Sequence, residues 1–268
     1  MKSIEEIRTD LRKGRITAVE EACLEALEET PYDLDFFTAA ARGLVGAGED
    51  DRAASIVELL DEKLVTSGLW EERLELLRVT GHIRCAPGEE HALQLEILHQ
   101  IYLRSTSLDG LAEIVGLQRA IDDRRKNWEK IDRLRVLMRY DLGAIVMMDG
   151  RGVGEVVEVN IPLQKFKVDF HGHGALRVGF AAAAKLLIPL PVDHVLRRKW
   201  EDIESLSTLA KEAPAELLRE VLESYDKPLT AGEIRDILSG VVKPSAWTSW
   251  WAASRKHPQV VVHAGGRP

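Results

Sequence analysis

The chain has 268 residues, of which 45% are apolar and 6% aromatic, with 36 Lys+Arg against 44 Asp+Glu. At roughly 100–200 residues per domain this length predicts two or three cores of an ordinary globular protein. The net charge of −8 argues against indiscriminate nucleic-acid binding through overall charge. No run reaches the roughly 20 apolar residues of a membrane span and the N-terminus lacks a signal-peptide core, so the cytoplasm is the expected compartment and no membrane is expected as a partner.

The charge is unevenly distributed. Residues 1–128 carry 16 basic and 26 acidic side chains, residues 129–200 carry 12 and 8, and residues 201–268 carry 8 and 10. The acidity therefore belongs to the N-terminal half and the middle of the chain is locally basic. Cys23 and Cys85 are single and widely spaced, a pattern that predicts thiols in a reducing compartment rather than a disulfide or a metal cluster.

The first half predicts successive helices. Apolar residues recur at three- and four-residue spacing in Ile4, Ile7 and Leu11, in Val19, Cys23 and Leu27, and in Ile56, Val57, Leu60 and Leu64. Pro31, Gly46, Gly48 and Pro87–Gly88 punctuate them. Helix pairs expected over 34–64 and 70–103 repeat at a spacing in the upper thirties, as two-helix solenoids do. The stretch AAARGLVGAGEDDRAASIVELLDEKL resembles a tetratricopeptide-type unit, and a plain helical bundle is the competing expectation.

From Gly143 the period changes to alternation of β-branched residues. Tight-turn signals at Asp149–Gly150, Ile161–Pro162 and His171–Gly172 divide it into four or five short strands, enough for a small barrel closed by Pro189 and Pro191. His171 and His173 offer too few ligands for zinc and read as a hairpin tip. Neither cysteine sits in a nucleophile phrase and no GxSxG occurs, so no enzyme and no cofactor is expected.

The last segment predicts helices at about 213–225, 230–239 and 244–256. Thr230 and Glu233 form a capping-box pattern, Pro244 opens the third helix, and the run QVVVH with the turn AGGRP follows. Helices followed by a strand and a glycine turn are the order of a winged helix-turn-helix whose returning wing strand would lie further on, as in a piece of a longer chain. Trp247, Trp250 and Trp251 share one side of the last helix and are expected to fill a small core. A recognition-helix reading would turn Ser249, Arg255 and Lys256 toward phosphate with Arg267 on the wing, although this segment is net negative and releases few counterions.

The phrase LGAIVMMDGRGVGEVVEVNIPLQKFKVDF resembles the Tudor-like or SH3-like barrel of CarD-type transcription regulators, through Asp149, Gly150, Gly152, Val153, Gly154, Val156 and Val157. In that family the barrel binds RNA polymerase. The resemblance implies a protein-binding face made by Arg151, Val153, Glu155, Lys165, Phe166 and Lys167, with strand addition supplying backbone hydrogen bonds. Together with GEIRDILSGVV, WTSWWAASRKHPQVVV and the helical start, the chain resembles the N-terminal extension of some Gre-type transcription elongation factors. Their cleavage-stimulating acidic hairpin tip has no counterpart in IDDRRKNWEKIDRL, which reads as one helix including Asp122 and Asp123.

The sequence thus predicts a mainly α, multidomain protein: a tetratricopeptide-like helical-repeat domain over 1–138, a Tudor/SH3-like β-barrel over 139–191 and a winged-helix-like domain over 192–268. The function expected is that of a transcription-associated adaptor with RNA polymerase as partner. The alternatives are a winged-helix DNA-binding regulator and a helical-repeat scaffold for peptides. Oligomeric state is left open.

Overall fold

A computed structural model describes residues 2–31, 33–119, 123–225, 227–256 and 260. The chain divides into two compact units, Met1–Met138 and Arg139–Pro268. The sheet and the helices after it, expected as separate domains, share the second unit because the helix following the sheet packs on one of its strands.

The first unit is helical: α1 (Ile4–Arg12), α2 (Ile16–Glu29), α3 (Leu34–Gly46), α4 (Asp50–Ser67), α5 (Trp70–Arg84), α6 (Pro87–Ile101), α7 (Leu108–Ile114) and α8 (Arg124–Met138). Ser3 and Glu6 close a capping box on α1, and Gly68 ends α4 in the left-handed region at φ 68°. The packing pairs are α3 with α4 and α5 with α6, and α4 packs on α5. The two pairs start at Leu34 and Trp70, a spacing of 36 residues. The periodic residues form the core: Ile7, Val19, Cys23, Leu60 and Leu64 are fully buried and Leu27, Ile56 and Val57 nearly so. Phe36 and Phe37 meet edge to face at 5.4 Å.

A polar network is buried where α5, α6 and α8 meet. The Glu90 carboxylate, 4% exposed, accepts hydrogen bonds from Trp128 Nε1 (2.9 Å), Arg124 Nε (2.8 Å) and Gln94 Nε2 (3.3 Å). Asn127 Nδ2 donates to Gln94 Oε1. Arg73 Nε and Nη2 donate to Asp61 at 2.9 and 3.1 Å, and its Nη1 to Glu96 at 2.9 Å. Such groups are tolerated inside because each charge meets its opposite. The helix expected through IDDRRKNWEKIDRL is α8, which begins at Arg124; Asp122 lies outside the described residues.

The second unit opens with an antiparallel sheet of β1 (Ile145–Met148), β2 (Gly152–Asn160), β3 (Lys165–Phe170), β4 (Gly174–Gly179) and β5 (Ile188–Pro189), in the order β4-β3-β2-β1-β5. The turns fall at the three predicted places. A short helix, α9 (Phe180–Leu186), joins β4 to β5 and had no counterpart in the sequence reading, since FAAAAKL carries no strand or turn signal to set it apart. A bulge between Val156 and Glu158 bends β2 and leaves Val157 out of the register.

One face of the sheet is apolar. Val156, Phe166, Val168, Phe170 and Val178 are buried there, and Phe166 sits 4.5 Å from Phe180 and 5.5 Å from Tyr140, ring centre to ring centre. Tyr140 O–H donates to Leu187 O at 3.2 Å and ties the entry of the unit to the residue before β5. The glycines of the GxGxV phrase serve two purposes. Gly150 and Gly152 occupy φ of 75° and 79° in the β1–β2 turn. A Cβ at Gly154 would lie 2.7 Å from Asp169 O and from Phe170 Cδ1, so β3 approaches too closely for any side chain there.

The helices α10 (Val195–Glu201), α11 (Ile203–Glu212), α12 (Pro214–Glu223), α13 (Ala231–Ile237) and α14 (Trp247–Ser254) complete the unit around Val195, Leu206, Leu217, Leu218, Val221, Ile234 and Trp250. The capping box is present: Glu233 N–H donates to Thr230 Oγ1 (3.2 Å) and Thr230 N–H to Glu233 Oε2 (2.7 Å). Pro244 opens a 3-10 turn, Pro244–Ala246, and α14 itself starts at Trp247, later than the spacing predicted. The expected strand QVVVH and turn AGGRP lie outside the described residues except for Val260, which packs on this core.

Candidate interaction surface

The strand register separates the six residues expected to bind protein into three places. Paired residues of antiparallel strands share a face, and β3 alternates Lys165, Lys167 and Asp169 against buried Phe166, Val168 and Phe170. Phe166 is therefore core, fully buried, and presents nothing to a partner. Lys165 pairs with Asn160 and Gly179, Lys167 with Glu158 and Arg177, and Asp169 with Glu155 and Ala175. Glu155, Lys165 and Lys167 thus stand on the polar face of β2–β3–β4 together with Arg177, which the sequence reading missed.

Among the described residues, no carboxylate lies within ion-pairing distance of Lys165, Lys167 or Arg177. Glu158 accepts instead from Asn160 Nδ2 at 2.9 Å. Next to this face, β4 is the last strand of the sheet and pairs, among the described residues, with β3 alone. A short, glycine-bounded edge beside unpaired cations combines free backbone donors and acceptors with fixed positive charge.

Val153 shares this face of β2 but lies beyond Glu155, at the β1–β2 end of the strand, with Arg151 in the turn. With Met147 they contribute the sheet side of a cleft of about 570 Å³, whose other side is Leu196, Lys199 and Trp200 of α10 and Ile203 of α11. His171, from the β3–β4 turn, meets the Trp200 ring edge-on at 6.1 Å. The Arg151 guanidinium sits 6.0 Å from the Phe170 ring. Lys199 Nζ donates to Ile237 O at 2.8 Å, and burial pushes the Lys199 ammonium below its ordinary range.

The helical end of the unit uses its tryptophans as structure. Trp247 stacks on Trp250 at 5.4 Å and on Trp251 at 5.9 Å; Trp250 is buried and the other two pack partly exposed on the core formed with α12. Ser249 Oγ donates to Ala246 O at 2.9 Å, which commits its proton locally. Arg255 and Lys256 are exposed just past α14, and Arg267 lies outside the described residues. Among the described residues no group of three metal-ligating side chains is found, and no helix is long and apolar enough to cross a membrane. Cys23 and Cys85 form no disulfide; burial raises the Cys23 thiol to about 12.

The second unit thus joins a sheet with a charged face to a run of short helices. Residues 196–262 match the family model of the GRAD helix-turn-helix domain. The chain is similar to transcription elongation factor GreA of Chlamydia pneumoniae, 33% identical over 163 residues, which is 60% of this chain and 22% of that protein. It is also similar to transcription elongation factor GreA of Chlamydia trachomatis serovar D, 32% identical over 128 residues, 47% of this chain and 18% of that one. The chain matches about a fifth of the length of these relatives. No solved structure matches it. These alignments support a relationship to Gre-type transcription factors.

Proposed function

We propose that this chain is a non-enzymatic, cytoplasmic adaptor of transcription that meets RNA polymerase through the open face and free edge of its sheet. The observation that carries this reading is the set Lys165, Lys167 and Arg177, in register on one face and unpaired, next to the unpaired side of β4. Strand addition at that edge would supply affinity, and the cations would fix register against an acidic surface. Similarity to GreA proteins directs the reading to transcription. The sheet order, with β5 returning to β1 and β2 bent at its bulge, suits a Tudor- or SH3-like barrel. The helix pairs α3–α4 and α5–α6 suit a tetratricopeptide-like scaffold in the first unit.

Capture of bacterial RNA polymerase by the full chain tests this. The wild-type chain retains the enzyme, and the triple variant Lys165→Glu, Lys167→Glu, Arg177→Glu loses about tenfold or more of that affinity. Equal retention by both chains overturns the reading.

A second reading, DNA binding by the helix-turn-helix segment, is favoured by the family match over 196–262 and by exposed Arg255 and Lys256. It predicts duplex binding that weakens with salt and with Arg255→Ala; a salt-independent signal removes it.

A further inference from the structure

We propose that the cleft between the β1–β2 turn and α10–α11 binds an acidic peptide carrying an apolar anchor residue. Its walls are apolar on both sides, with Met147 and Val153 facing Leu196, Trp200 and Ile203. Its volume of about 570 Å³ falls in the range of roughly 300–1,000 Å³ typical of ligand pockets and has room for a bulky side chain. Ile203, 41% exposed, keeps the apolar wall open to solvent.

The charged groups of the cleft have one sign. Arg151 and Lys199 line it together with the His171 ring, and among the described residues no acidic side chain does. Neither Arg151 nor Lys199 has an ion-pair partner among the described residues: the first lies near an aromatic ring and the second donates to a backbone carbonyl. Burial disfavours the Lys199 ammonium and the Ile237 carbonyl offsets this only in part, so an incoming carboxylate would add the counter-charge that Lys199 lacks among the described residues. A basic peptide would meet Arg151 and Lys199, both of its own sign, and a wholly polar acid would leave the apolar walls wet. An apolar anchor flanked by Asp or Glu satisfies both halves of the site. The cleft lies at the β1–β2 end of the sheet and contains none of Lys165, Lys167 and Arg177, so its test is separate from that of the polymerase reading.

The test uses the full chain and three fluorescein-labelled peptides followed by anisotropy: a Phe-Leu centre flanked by Glu and Asp, the same centre flanked by Lys, and an acidic peptide with a Gly-Ser centre. The first binds, and the other two bind about tenfold or more weaker. Arg151→Glu and, separately, Ile203→Asp each weaken the first peptide about tenfold while the melting temperature is kept; if one variant fails to fold, the other decides. Equal binding of acidic and basic flanks, or indifference to both folded variants, overturns the proposal. So does concentration-dependent self-association lost in Arg151→Glu with no peptide bound, which would make a second copy the occupant.

Discussion

The first unit and the sheet of the second treat charge in opposite ways. In the first unit many cations are paired at home: Arg52 reaches Glu20 and Glu49, Arg73 clasps Asp61 and Glu96, Arg124 holds Glu90, and Arg135 meets Glu71. Between residues 145 and 189 the cations Arg151, Lys165, Lys167, Arg177 and Lys185 have no ion pair among the described residues. The buried Arg73 and half-buried Arg124 of the acidic region are thus neutralised by carboxylates, while in the other region none of the five is, among the described residues. Pairing inside a unit contributes to its stability, whereas unpaired charge on an ordered face is a means of recognition.

The contrast predicts where substitutions act on the fold. Glu90→Ala leaves Arg124 without its counter-charge and the Trp128 N–H without its acceptor and should cost the first unit about 3 kcal/mol, read as a lower urea midpoint. An unchanged midpoint would mean that the network adds nothing. Gly154→Ala drives a methyl group into β3 and should cost about 2 kcal/mol in the second unit. Gly152→Ala meets only the penalty of its φ of 79° and should cost about 1 kcal/mol. Reversal of that order would contradict the register of β2 on β3.

Thr230→Ala removes the cap of α13 and should cost about 1 kcal/mol. The same cap has a pH signature. Hydrogen bonds from Thr230, its backbone N–H foremost, hold the Glu233 carboxyl below its ordinary range. The cap's contribution is therefore complete above the usual carboxylate range and is lost as pH falls through the depressed folded value. Acid titration of the wild type against Thr230→Ala should show the difference narrowing toward low pH. The smallest effect is expected for Lys165→Glu, Lys167→Glu, Arg177→Glu, which should move stability by about 0.5 kcal/mol or less per site because these side chains have no ion pair to lose among the described residues. Loss of several kcal/mol would show that the face is structural.

Local features were legible in the sequence. The three- and four-residue spacing located the helices of the first unit, the Thr230–Glu233 pattern marked a cap that forms, and Gly150 and Gly152 announced a turn. Relations across the chain were not. Lys165, Phe166 and Lys167 are neighbours in sequence, but strand alternation sends Phe166 to the core, and only the register of β4 reveals that Arg177 joins the lysines. Glu90 and Trp128 meet across 38 residues. The cleft gathers Met147, His171 and Trp200 from three separate segments, and Trp200 carried no motif of its own. Pro244 misled slightly, because a 3-10 turn accepts proline as readily as the first turn of an α-helix does.

The central claim is that polymerase meets the sheet face and not the acidic helices. Placing a photocrosslinking amino acid at exposed Ala175 on β4, and in a second chain at exposed Arg12 on α1, tests it directly. Irradiation with RNA polymerase should give a covalent adduct from position 175 and none from position 12; an adduct from position 12 alone would contradict the account.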